Sequence, residues 1–212
     1  RLGGSAIAPP APARVGRDGA LRLRFERGGS GTVVAVGRYT LPLQTLAPVA
    51  LDDPAAVVSI LNPTGGLVGG DRLSIDVEAT AAAHAVLTTP SATRVYRTDG
   101  EDAVQSVKIS IGPRAIVEWV PDHTIPFAGS AFRQTLDVEM DETSRLILVD
   151  AFSAGRVGRG PPGTARRSRP VNAEGNGAWC PGPTQAAGRG VRGSGWGSRA
   201  APGGRGRPGR RR

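Results

Sequence analysis

Apolar and polar residues alternate along most of residues 20–155, and they do so in short runs. Leu21, Leu23 and Phe25 are separated by Arg22 and Arg24, and Leu73, Ile75 and Val77 by Ser74 and Asp76. Val107, Ile109 and Ile111 alternate with Lys108 and Ser110. Phe132, Gln134, Leu136, Val138 and Met140 make one face of a further run, with Gln134 as its single polar member. A period of two puts successive side chains on opposite faces of an extended chain, so each run predicts a half-buried strand. Thr32–Val36, Ala56–Leu61, Ala85–Thr89, Thr93–Arg97, Ala115–Val120 and Arg145–Phe152 add short β-rich apolar runs. Leu41–Leu46 carries Pro42, which confines it to an edge.

Gly and Pro end most of these runs, as at Gly37, Asn62-Pro63, Gly112-Pro113 and Pro121. About ten short strands at roughly 8–12-residue spacing predict an all-β fold: a sandwich, a barrel or a solenoid. Periodicity does not choose among the three. No amphipathic helical run competes with this reading.

Composition divides the chain. Residues 1–155 hold 14 basic and 17 acidic residues, whereas Arg156–Arg212 holds 13 Arg and a single acid, Glu174. The net charge of +9 therefore comes from the second part. That part has no Leu, Ile, Phe, Met or Tyr, and 22 of its 57 residues are Gly or Pro. It cannot bury enough apolar surface to offset the entropy of ordering, so disorder is expected. The expected organisation is a loose Ala/Pro-rich leader at 1–19, a β domain at 20–155 and a disordered basic tail at 156–212. Two readings account for the tail. One is an Arg/Gly-rich segment that binds nucleic acid through charge and its two Trp. The other is an out-of-frame translation of GC-rich DNA, in keeping with 26 Arg against one Lys.

Several classes are not expected. No run reaches 18 consecutive apolar residues, the length of a membrane-spanning helix. Pro9, Pro10 and Pro12 interrupt the start, where a secretory signal needs an apolar stretch. One cysteine, Cys180, forms no internal disulfide framework and no Cys-rich zinc site, which suits a reducing cytoplasm.

Little local chemistry stands out. Gly65-x4-Gly70 has the glycine spacing of a phosphate loop, but Asp71 and Arg72 stand where Lys and Ser or Thr are needed. A carboxylate there repels phosphate, so the run is read as a tight turn. His84 and His123 are the only histidines and form no local motif. His84 is read as a solvent-edge or partly buried side chain. His123 follows Asp122, which places imidazole beside carboxylate, two competent metal ligands. Glu118 interrupts the apolar run Ala115–Val120, so it faces solvent or lines a polar interior. No nucleophile motif such as G-x-S-x-G is present.

One longer series carries a resemblance. Leu61-Asn62-Pro63-Thr64-Gly65-Gly66-Leu67-Val68-Gly69-Gly70-Asp71-Arg72-Leu73 is followed by His84–Pro90 and Ala92–Arg97. Gln105, Glu118-Trp119-Val120-Pro121 and Ile125-Pro126-Phe127 come next. In this order they closely resemble the urease accessory protein UreD family, called UreH in some organisms, from about Leu21 to Gly160. The resemblance implies a cytoplasmic, non-enzymatic chaperone of nickel insertion with a β-solenoid-like fold. It implies binding to the urease apoprotein and UreF, recruitment of the GTPase UreG through that complex, and no tightly bound cofactor. It also implies a polar path for transient Ni2+, for which Asp71, Glu118, Asp122 and His123 are the candidate residues. Beyond Gly160 the family pattern is not followed, so the chain is expected to cover only the N-terminal part of the family domain. Neither membrane nor nucleic acid is an expected partner.

The two readings of the tail separate experimentally. A nucleic-acid-binding segment predicts affinity that falls steeply with salt and vanishes when Arg156–Arg212 is deleted. Filter binding that shows no change on deletion contradicts it.

Overall fold

The computed structural model describes residues 16–50, 53–153, 166–168 and 171–174. Strands joined by turns, bends and irregular connections make up these residues, with no helix among them. The chain begins with β1 (Asp18–Arg27) and β2 (Thr32–Thr40), an antiparallel pair. Two short strands follow, β3 (Gln44–Thr45) and β4 (Val49–Ala50). Both pair antiparallel with β5 (Ala56–Leu61). The predicted edge run at 41–46 is thus reduced to Gln44–Thr45, because Pro42 supplies no ladder donor.

From β5 onward the chain winds. It continues through β6 (Arg72–Ala79), β7 (His84–Thr88), β8 (Thr93–Val95), β9 (Ala103–Ile111) and β10 (Ile116–Trp119). β11 (Thr124–Pro126), β12 (Ala131–Met140) and β13 (Arg145–Leu148) complete the winding. One sheet stacks β5, β7, β10 and β13 in parallel. The other stacks β1, β6, β9 and β12 in parallel. β8 and β11 form a third, short parallel wall, extended by bridges from Val95 back to Leu67 and from Thr124 on to Phe152. Parallel neighbours usually need a helical crossover. Here the return path is itself strand, and each residue meets its counterpart about thirty positions later, a solenoid period. The all-β expectation is therefore met by a three-walled parallel solenoid.

Register decides what lies inside. Leu21, Ile75, Val107 and Leu136 form one row across four strands, and Leu23, Val77, Ile109 and Val138 form the next. All eight are buried. From the facing sheet, Val58, Leu87 and Trp119 stack in a row, also buried. A fully buried side chain of this size contributes about 1.5–3 kcal/mol. The opposite face of the first row set is charged: Arg22, Asp76, Lys108 and Asp137 share one register line. Lys108 reaches Glu139 at 3.0 Å, and that contact raises its pKa above the usual lysine value.

The Gly65–Asp71 run is a corner turn. Gly66 has φ +149°, and a Cβ there lies 2.5 Å from the Arg94 carbonyl oxygen. Asp71 is 2% exposed; its Oδ1 accepts the Arg17 N–H at 2.9 Å and its Oδ2 the Val68 N–H at 3.0 Å. It ties the turn to the start of β1. Consequently β1 begins at Asp18, inside the segment expected to be a loose leader. Residues 1–15 lie outside the described residues, as do most of the residues of the expected tail. Two pieces of that tail are strands, β14 (Arg166–Ser168) and β15 (Val171–Glu174). Both pair parallel with β12, one solenoid step on.

The packing sets two expectations. Leu136→Ala lowers unfolding free energy by about 2–5 kcal/mol in urea titrations. Gly66→Ala lowers it by about 1–3 kcal/mol, because the turn must open. Unchanged midpoints contradict the register and the corner geometry respectively.

Candidate functional site

The inward rows are apolar except at one level. Leu73, Gln105 and Gln134 share a register line on β6, β9 and β12. Two consecutive coils thus place an amide where neighbouring lines hold Val, Ile and Leu. Gln134 is only 5% exposed. Both amides line a cavity of about 270 Å³ between the walls. Its floor includes Leu67, Ile75 and Trp119, and its rim includes Pro63, Pro90, Ser91 and Arg94. The Trp119 Nε1–H and the Asn62 Nδ2 amide are buried without a protein hydrogen-bond partner. Both residues line the same cavity. A buried donor left unmade costs about 1–3 kcal/mol, a cost that a water held in this mixed polar and apolar space offsets.

The four residues chosen from the sequence fall into three places. Asp122 lines the cavity at its exposed side, and His123 stands next to it. The Asp122 Oδ1 accepts the His123 backbone N–H at 2.7 Å and the His123 Nδ1–H at 2.6 Å. The backbone amide first, and the imidazole second, hold the Asp122 carboxyl below the usual carboxylate range. The carboxylate therefore stays charged at neutral pH, and the contact is lost only as pH falls through the lowered value.

Glu118 is elsewhere. It sits on the outward face of β10, where its Oε1 accepts from His84 Nε2 at 2.8 Å. Asp71 has both oxygens engaged by backbone amides and serves the turn. The structure thus unites Asp122 with His123, and Glu118 with His84, but does not gather the four. Among the described residues, no group of three or more His, Cys, Asp or Glu is arranged to hold a metal. Sequence reasoning missed the cavity amides. The signal was present for Gln134, the lone polar residue on an apolar strand face; Gln105 becomes visible only once β9 and β12 are in register.

These features define an all-β protein, a parallel solenoid with a cavity between its walls. A family model described as UreD urease accessory protein matches residues 17–179, past Gly160 and through β14 and β15. The chain belongs to the UreD urease accessory protein family. Similar proteins include "Urease accessory protein UreD" from Delftia acidovorans (strain DSM 14801 / SPH-1), 40% identical over 142 residues. That alignment covers 66% of this chain and 47% of the relative. The protein of the same name from Alkalilimnicola ehrlichii (strain ATCC BAA-1101 / DSM 17681 / MLHE-1) is 37% identical over 167 residues, covering 77% and 57%. That of Klebsiella aerogenes is 32% identical over 145 residues, covering 68% and 54%. The chain spans about half the length of the curated relatives it matches. The relatives are named as accessory proteins, helpers of an enzyme rather than enzymes. No helix among the described residues is long and apolar enough to cross a membrane.

The Asp122–His123 geometry is open to titration. In His123→Ala the backbone N–H remains and the imidazole contact goes, so the Asp122 carboxyl titrates higher than in the parent but stays below its ordinary value. Carbon-detected NMR of the side-chain carboxyl reads this; an unmoved value contradicts the imidazole contact.

Proposed function

We propose that this chain acts in urease maturation as a scaffold for nickel insertion into the urease apoprotein. In this reading it works in the cytoplasm, binds the apoprotein and UreF, and reaches the GTPase UreG through UreF. Its contribution is docking surface and ion passage, not bond chemistry. The observation that supports passage is the cavity with its amides inside an otherwise apolar solenoid. Gln105 and Gln134 offer neutral oxygen contacts there, and Asp122 with His123 offers charge and imidazole nitrogen at the exposed side. A borderline ion in transit needs contacts of this weak kind, since a tight His or Cys cage retains it. Asp71 supports the passage only indirectly, by holding the corner turn that forms part of the cavity wall. Glu118 enters through its pairing with His84 on the outer face.

The test uses cells that carry urease but lack their own UreD. Expression of the chain restores urease activity in nickel-supplemented medium if the scaffold reading holds. The double variant Gln105→Leu, Gln134→Leu replaces both amides by apolar groups of similar size. Loss of a polar contact worth about 1–2 kcal/mol lowers activation roughly tenfold while co-purification with the apoprotein persists. Full activation by the double variant contradicts the passage, and absence of co-purification by the parent chain contradicts the scaffold.

A further inference from the structure

The starting end of the stack is closed by a strand whose free side is apolar. β2 crosses that end. It pairs with β1 of the first sheet, while on the side of the second sheet its Thr32 N–H donates to the Pro54 carbonyl at 2.8 Å. The Thr32 Oγ1 also accepts the His84 N–H of β7 at 2.8 Å. Val34 packs inward against the core. Val33 and Tyr39 are at least half exposed, and Leu41, Leu46 and Val49 continue the exposed apolar surface through the connection to β3 and β4. These five make up most of the exposed large apolar side chains among the described residues. Arg38 is the only charged residue from Thr32 to Val49. A solenoid usually finishes in a polar outer face, because its terminal coil has no neighbour to cover it. This end lacks such a face.

We infer that this end is an interface with a second copy of the chain, end against end about a two-fold axis. Three features point to a copy rather than to a partner of other chemistry. The first is charge. With Arg38 as its one charged residue, the surface offers almost nothing to an acidic or a basic partner, the Arg-rich residues 156–212 of this chain included. A two-fold contact sets a patch against itself, which suits apolar side chains and sets like charge against like charge on a charged end. The second is size. A strand of nine residues is about 30 Å long and facing sheets lie about 10 Å apart. With the side chains outside them the end covers roughly 600–800 Å², close to the about 800 Å² per partner of a standard interface. The third is Tyr39, an exposed aromatic beside Leu41, the kind of side chain that anchors such patches. Leu43, two residues on, turns inward and lines the cavity, so the shared end abuts the cavity wall of each copy.

The test is sedimentation velocity on the full chain at about 0.15 M salt, which screens the repulsion between two copies of net charge +9. A monomer–dimer equilibrium is expected. Tyr39→Glu and Leu41→Glu each raise its midpoint at least about tenfold, because every substitution enters the contact twice. Ile147→Glu, at a similarly exposed apolar position on the strand at the other end of the second sheet, leaves the midpoint in place. Added salt leaves this dimer intact, whereas association through the Arg-rich residues dissolves. A second readout needs no charged substitution. In a Cys180→Ser background, a nitroxide on Ala47→Cys of one copy broadens the amide resonances of residues 33–49 in an isotope-labelled copy that carries no nitroxide. A chain that stays monomeric at about 100 μM overturns the inference, whatever else covers that end. So does a dimer whose midpoint neither Tyr39→Glu nor Leu41→Glu moves, or one whose broadening centres on β13. Neither nickel nor urease enters the experiment, so its outcome is independent of the nickel-insertion reading.

Discussion

Everything in this fold depends on one repeated contact: an inward side chain resting on its counterpart one coil later. Ile75 on Val107 on Leu136, and Val77 on Ile109 on Val138, are that contact in its plain form. Because the strands are parallel and in register, each coil inherits the inside–outside pattern of the one before it. A single slip by one residue exchanges the aliphatic rows with the charged line of Arg22, Asp76, Lys108 and Asp137. The register is thus held by the cost of burying those charges as much as by the gain from the aliphatic stack.

The proposed passage lies at an exception to that rule. Gln105 and Gln134 break an inward line on two consecutive coils, and the space beside them collects the partnerless donors of Trp119 and Asn62. On the outward face of the other sheet, which also carries Ser59, Thr88 and Arg145, His84 and Glu118 form a polar pair between aliphatic neighbours. Both places put polar groups on faces that also hold aliphatic ones. The corner turn links the two levels of structure. Gly66 permits the close approach of the Arg94 carbonyl, Asp71 fixes the turn to β1, and the turn itself forms part of the cavity wall.

Much of this was legible along the chain. Alternation at Leu21–Phe25, Leu73–Val77, Val107–Ile111 and Phe132–Met140 marked the long strands, because period two is a local property. Thr124–Pro126 escaped notice, being three residues long and ending in proline, and its existence depends on pairing with Thr93–Val95. The choice of solenoid over sandwich was not written in any run, since parallel stacking is a relation between residues some thirty positions apart. For the same reason His84 and Glu118 read as unrelated residues, and the backbone amides on both oxygens of Asp71 become visible only in the fold. The compositional break at Arg156 predicted a change of character, yet β14 and β15 continue the stack, since backbone pairing with β12 does not require apolar side chains.

The central claim is a wet polar level inside a dry aliphatic stack. Thiol accessibility measures it directly. In a Cys180→Ser background, Gln134→Cys and Leu136→Cys place a thiol at successive inward positions of β12, both nearly inaccessible in a static surface. The account predicts that a small charged methanethiosulfonate reagent labels Gln134→Cys readily in the folded chain and leaves Leu136→Cys unlabelled until denaturant is added. Equal protection of the two thiols contradicts it.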